Sequence, residues 1–438
     1  MIIDLPNTST SALNKKLVDV RNQSGAMALG RVLTLIIVVD EDRAEEVIES
    51  AVESSHMHPC RIVVLVHANK RGGSRVDGQI RLGGDAGASE VVVLRLYGEV
   101  NAHGYALVLP LLLADSPVVG WWPCEAPVDM ASDPIGAICQ RRINDSAVAK
   151  NPFAELKRRA EHYAPGDTDL AWSRVTHWRA LLAAALDQRP FEAVTGAVVS
   201  GGLDSTATDL LAAWLAEALD VPVTRARTPQ GSGLISVRLE RPSGPLDLVR
   251  PEGTTIATLS HPLQPVRRVA LKRRSDAECL TDELRRLDPD EVYEAALVDG
   301  LPRLGRRNAL ASQLIKAGKA PSPEESRRLA REAGRRPRQT SADMVTIDPA
   351  TAELTPTEKA TDRQVADRAQ TQKRVGARVA PEASVGAKKA AKTAKKAAKK
   401  SAKKSAKKSA TKSSASTSAK KSASKSAAGT ADSTQETS

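Results

Sequence analysis

The sequence predicts an α/β N-terminal domain over residues 1–150, then a mixed α+β domain with an antiparallel meander over 151–310. A disordered linker over 311–387 and a polybasic low-complexity tail over 388–438 complete the chain. Three observations carry this division. Continuous β-branched runs alternate with segments of helical apolar spacing before about residue 130. Short strands parted by close turn signals follow Leu234. From Lys388 the chain repeats Lys-Lys-Ala and Lys-Lys-Ser units that offer no apolar face.

In chain order, Thr8–Arg21 reads as a first helix, with Thr8 or Ser9 as cap and Leu13, Leu17 and Val20 on one face. "VLTLIIVVD" (Val32–Asp40) is a run of strand length without alternation, the pattern of a strand covered on both faces. Glu41–Ser54 has Ala44, Val47, Ile48 and Ala51 at helical spacing, and Arg61–Val66 is a second buried strand, so the three suggest a βαβ crossover. Glu90–Glu99 gives another strand, Ala102–Ala114 a helix and Val118–Trp122 a short strand. The polar passage Asp129–Pro152 marks a boundary. Helices at Phe153–Tyr163 and Ala171–Gln188 follow, the second capped by Thr168 or Asp169, and then a strand at Ala193–Val199. "LISVRLER", "LDLVR", "TIATLS" and "RRVALKRR", separated by "PSGP", "PEGT" and "HPLQP", form the meander, and Ser275–Leu297 supplies two short helices broken at Asp288-Pro289. Residues 318–387 are charged and rich in Pro, Ala and Thr, the composition of a disordered linker.

The formal charge of +12 is local. Residues 388–438 hold 15 lysines against Asp432 and Glu436, a net +13, which leaves residues 1–387 at −1. The tail resembles those of histone-like bacterial proteins, and two readings stand: salt-sensitive, sequence-independent binding of nucleic acid or another polyanion, as in a nucleoid-associated protein, or a solubilising extension. No aromatic residue falls within it to stack on bases. The most apolar stretch, Ala106–Trp122, is interrupted by Pro110, Asp115 and Pro117, so no membrane span is expected, and the N-terminus lacks the pattern of a signal peptide. Cys60, Cys124, Cys139 and Cys279 are scattered without a CxxC pair, which predicts reduced thiols in the cytoplasm. Seven histidines, of which His56 and His58 alone are close, and the absence of GxSxG give no pattern that asks for a metal, a cofactor or a catalytic triad.

One motif does point to chemistry. "VVSGGLDSTATDLLAAWLAEAL" (Val198–Leu219) ends an apolar run in Ser200, Gly201, Gly202, Leu203, Asp204, Ser205 and Thr206 and opens a helix. Glycines admit close approach of an anion and helix-start N–H groups point at it. It resembles the SGGxDS signature of PP-loop ATP pyrophosphatases, which would make Ser200, Gly201, Gly202, Asp204 and Ser205 an anion-binding turn in an ATP-using enzyme. The alternative is a capped turn in which Asp204 and Ser205 satisfy helix N–H groups. The single helix followed by a meander favours the second, because a doubly wound domain would continue with further helix-linked strands.

The aromatics are few and concentrated. In "VVGWWPCEAP", alternation along the strand sends Trp121 and Trp122 to opposite faces, so one ring is either an exposed interface anchor or packed on a helix. In "APGDTDLAWSRVTHWRALLAAALDQ" (Ala164–Gln188), Trp172, Val175 and Arg179 share one side, with Trp178 nearby.

With "LLLADSPVVGWWPCEAP" and the two helical stretches above, the chain closely resembles the glucose-6-phosphate dehydrogenase assembly (OpcA) family over roughly residues 1–305. The resemblance implies a non-catalytic cytoplasmic partner of glucose-6-phosphate dehydrogenase, needed for its assembly or activation at the head of the oxidative pentose phosphate pathway. It carries over Trp121, Trp122, Pro123, Gly166, Asp167, Thr168, Asp169, Leu170, Ala171, Trp172, Trp178 and Arg179 as family-motif positions, with direct contact to the enzyme as the expectation. Redox control is associated with some members; the scattered cysteines lend it no support, and Cys124 beside the tryptophans is the one to test.

Overall fold

The computed structural model describes residues 1–24, 32–83, 89–305 and 309–334, within a compact unit spanning Met1–Arg338. The lysine-rich tail and the linker beyond residue 334 lie outside the described residues.

The chain begins with β1 (Ile2–Leu5) and α1 (Thr10–Ser24), then β2 (Leu33–Asp40), α2 (Ala44–Ser55), β3 (Cys60–His67), β4 (Arg75–Arg81) and β5 (Glu90–Tyr97). The helix expected over Ala102–Ala114 is a short α3 (Gly104–Val108) flanked by 3-10 turns, with Pro110 in the second of them. β6 (Val118–Trp122), β7 (Arg141–Asn144) and β8 (Asp167–Asp169) complete an eight-stranded sheet of order β1-β4-β5-β3-β2-β6-β7-β8. From β5 to β8 every pairing is parallel, while β1 and β4 are added antiparallel.

Alternation along the strands fills both faces. Leu35, Ile37 and Trp121 face α2 and α8 (Asp276–Arg285), whereas Ile36, Val63 and Trp122 join Leu13 and Leu17 of α1 on the other side. A parallel sheet covered on both faces needs continuous apolar strands, and β2, β3 and β5 have them. The boundary read at residue 150 does not separate two cores: β8 lies beyond it, and Cys279, Leu280 and Leu284 of α8 pack into the first sheet's core. Charged strands caused the misreading, since Arg141 and Arg142 of β7 are buried and matched by Glu283 and Asp167.

α4 (Pro152–Glu161), α5 (Leu170–Arg174) and α6 (Thr176–Leu186) follow, so the helix expected over 171–188 is broken at Val175. Asp169 caps α5 by accepting the Ala171 N–H. The second sheet has the order β10-β9-β11-β12-β13-β14, built from β9 (Gly196–Gly202), β10 (Val223–Thr228), β11 (Leu234–Glu240), β12 (Leu246–Val249), β13 (Ile256–His261) and β14 (Gln264–Ala270). β9 and β10 are parallel across α7 (Thr206–Ala218), and β9-β11-β12-β13-β14 is antiparallel throughout. One face packs on α5, α6 and α7 and on α9 (Glu291–Glu294), which runs through a π turn into α10 (Leu301–Arg303). α11 (Ala311–Lys316) and α12 (Pro323–Gly334) cover the other face, through Ala311 against Val198 and Ala226 and through a Ser326–Thr258 hydroxyl contact. Both helices fall in the segment expected to be linker. Their apolar residues are few, chiefly Leu314, Ile315 and Leu329 among charged neighbours, so the pattern is legible only against the sheet they cover.

Candidate functional site

β9 runs on through the glycines. Ser200, Gly201 and Gly202 are strand residues, paired with Ala226, Arg227 and Thr228 of β10, and the Gly202 N–H is donated to the Gly233 carbonyl at 2.8 Å. A Cβ on Gly201 would meet the Gly233 oxygen at 2.6 Å. Close packing of β9 on its neighbours therefore accounts for the glycines, and their backbone belongs to the sheet ladder. The turn proper is Leu203–Ser205. Ser205 caps α7, its Oγ accepting the Thr208 N–H at 3.3 Å and the Thr208 hydroxyl at 2.7 Å. Asp204 does not cap: both its oxygens accept the Gly231 N–H at 3.1 Å.

Arg225 of β10 fixes this turn from beneath. Its Nε donates to Asp209 of α7 at 2.9 Å, and its terminal nitrogens donate to the Gly201 and Gly202 carbonyls at 3.0 and 2.6 Å. Both side chains of the pair are 1% exposed.

Above the turn lies a cavity of about 320 Å³ lined, among the described residues, by Ser205, Thr206, Ala207, Gly231, Gly233, Trp178 and four arginines, 174, 250, 273 and 274, with Asp204 the one carboxylate among them. Arg174 is held by Asp145 and Asp276, each at 2.7 Å; burial acts against its charge, but those two carboxylates outweigh burial and raise its pKa. Arg274 pairs with Asp282 at 2.7 Å. Arg250 is buried and, among the described residues, donates only to main-chain carbonyls, of Leu271 and Leu234 at 3.2 and 3.0 Å, with its guanidinium 5.2 Å from the Trp178 ring. Burial, with neighbouring Arg273, pushes the Arg250 pKa down to about 10. The structure thus brings Arg174 and Trp178 of the aromatic-rich segment to the same cavity as the glycine motif.

The family-motif positions are mostly interior. Trp121, Trp122, Pro123, Gly166, Asp167, Thr168, Asp169, Leu170, Ala171, Trp172 and Trp178 are buried, and Arg179 is half-buried. Of the two readings of the tryptophan pair, the packed one holds: the sheet is covered on both faces, so neither ring is a free interface anchor. Asp167 pairs with Arg142; Asp169 accepts the amide of Asn144 and the N–H groups of Ser146 and Ala171. Burial and nearby Asp145 push the Asp169 pKa up to about 6. Gly166 has φ +97° and sits against the Gln140 carbonyl, where a Cβ would lie 2.5 Å away. Trp172 donates its indole N–H to Asp290 at 2.8 Å, packs 5.8 Å from Tyr293, and carries the Arg179 guanidinium 3.6 Å over its ring. This motif therefore supplies the last strand of the first sheet and, in α5, a helix of the second core. It joins two layers and leaves little surface for a partner.

Sequence reasoning missed a second cavity. The parallel strands β5-β3-β2-β6-β7-β8 have the order of a dinucleotide-binding sheet, with its switch point between the ends of β2 and β6. A cavity of about 550 Å³ opens there, lined by Asp40, Asp42, Arg43, Cys124, Glu125 and Asp145 among others. No glycine turn precedes α2, and Glu41 and Asp42 lie at the start of the 3-10 turn leading into it. Those carboxylates oppose a phosphate at the place where topology would put one. Cys124 is half-buried, and burial raises its pKa. Among the described residues, no group of three His, Cys, Asp or Glu could hold a metal ion, and no helix is long and apolar enough to cross a membrane.

Residues 51–161 match the family model described as the glucose-6-phosphate dehydrogenase subunit N-terminal domain, and residues 165–297 match that of the same subunit's C-terminal domain. The two matches are consecutive and together span more than half of the 438 residues. The chain belongs to the OpcA family. The N-terminal match of this OpcA chain takes in β3 to α4, and the C-terminal match β8 to α9, so the junction falls between α4 and the Gly166 turn. Among solved structures the chain is similar to one described as glucose-6-phosphate 1-dehydrogenase from Mycobacterium avium, at 11% identity over 68% of this chain and 96% of that one. Its TM-score of 0.32 carries neither fold nor function across. No curated protein matches the chain.

Proposed function

We propose that this chain binds glucose-6-phosphate dehydrogenase and promotes its active oligomeric form, without turning over a substrate itself, in the oxidative pentose phosphate pathway. The role in dehydrogenase assembly belongs to the family; the observation that carries it here is the consecutive match to both subunit domains within one compact unit. The glycine motif supports the non-catalytic reading, since Ser200, Gly201 and Gly202 are engaged in the sheet and a single parallel unit is embedded in an antiparallel one.

The test is titration of the full chain into the dehydrogenase of the same cell, following NAD(P)H production and co-elution on a sizing column. Saturable activation with a shift to a larger complex is expected. No activation and no complex would withdraw the reading. Release of phosphate from magnesium-ATP by the chain alone, abolished by Ser205→Ala, would replace it with an ATP-using enzyme.

A further inference from the structure

We propose that the cavity at the start of α7 binds the phosphate group of a small soluble phosphomonoester. This inference stands apart from the dehydrogenase reading and rests on what surrounds the cavity.

α7 is 13 residues long, and the first intrahelical acceptor, the Ser205 carbonyl, serves Thr208 and Asp209. The N–H groups of Thr206 and Ala207, on the cavity wall, precede that first bond and carry the positive end of the helix. Thr206 is 0% exposed and its hydroxyl has no hydrogen-bond partner, a costly state for a buried polar group that a bound anion would relieve. On the same cavity wall, Arg250 is 6% exposed and, among the described residues, has no carboxylate partner. Arg273 likewise meets only carbonyls, of Gly231 and Ser232. Two cations without counterions, a free buried hydroxyl and two helix-start N–H groups converge on one space, the donor set of a phosphate site. Asp204 also faces it, but both its oxygens are engaged by Gly231. The Arg225–Asp209 pair holds the turn in place before any ligand arrives. At about 320 Å³ the cavity is at the small end of ligand sites, which suits a phosphate on a short polar body rather than a nucleotide.

Calorimetric titration of the full chain, with no dehydrogenase present, tests this with inorganic phosphate, glycerol phosphate as a phosphomonoester and acetate as a carboxylate control. Both phosphates should bind one per chain in salt that screens surface charge, and acetate should not. Thr206→Val and Arg273→Ala should each weaken binding about tenfold, the loss of one hydrogen bond to a charged group. Arg273 is exposed, so its substitution leaves the core intact, and circular dichroism checks both variants. Absence of binding overturns the proposal. So does binding that is unchanged in both variants, which would place the anion on the lysine-rich segment instead. The dehydrogenase titration can succeed or fail independently of either result.

Discussion

Two places in this molecule have the same backbone plan, a parallel strand ending at the start of a helix, and opposite chemistry. β2 leads through Asp40, Glu41 and Asp42 towards α2, where the Asp40 side chain makes no cap hydrogen bond and carboxylates crowd the first turn. β9 leads through the glycine motif into α7, where Ser205 caps the helix and arginines line the cavity above. Topology presents helix-start N–H groups at both. Side-chain charge decides which one can receive an anion, and the strand order that would nominate the first is overruled there.

The largest expected effect lies beneath the second turn. Asp209→Ala leaves Arg225 buried without its carboxylate and should cost about 3–5 kcal/mol in urea denaturation. The matching change at the first turn, Glu46→Ala, removes an exposed carboxylate 3.5 Å from half-buried Arg43 and should stay within about 0.5 kcal/mol. Equal losses would dissolve the contrast. Next comes Gly201→Ala, whose new methyl would press on the Gly233 carbonyl, at about 1–3 kcal/mol by the same measurement. No loss there would show that the β9–β11 contact yields.

Ser205→Ala should remove about 1 kcal/mol through its lost cap, whereas Asp40→Ala, with no cap bond to lose, should change stability by under about 0.5 kcal/mol. The smallest effect leaves stability untouched. Under native conditions iodoacetamide should modify Cys124 first, more slowly than a free thiol because burial raises its pKa, and faster as pH rises. Cys139 and Cys279, buried and pushed up to about 12, should react only on unfolding, as mass spectrometry of the adducts would show. Labelling of Cys279 in the native protein would mean that α8 leaves the first sheet.

Much of the fold is legible in the chain. Strands β2, β3, β5 and β6, the meander and the helix after the glycine motif follow from local apolar period and turn residues. The illegible elements share a cause. β7 is Arg-Arg-Ile-Asn and β8 is Asp-Thr-Asp, all buried, because their charges find partners far away in sequence: Arg141 donates to Glu283 across 142 positions at 3.0 Å. A buried strand made of charged residues reads as a polar boundary until its partners are in view. The family motif shows the same limit: its residues could be named from resemblance, but their burial at the seam between two layers could not.

The alternation of strand and helix, the place where basic charge is concentrated and the family resemblance can all be read along the chain, since each depends on neighbours a few positions apart. It took folding to make the glycines part of a sheet, to bring Asp204 to Gly231 instead of the α7 cap, and to gather Arg250, Arg273 and Thr206 around one cavity. Those outcomes depend on burial and on charges brought together from distant segments, and neither quantity is defined until the chain has folded.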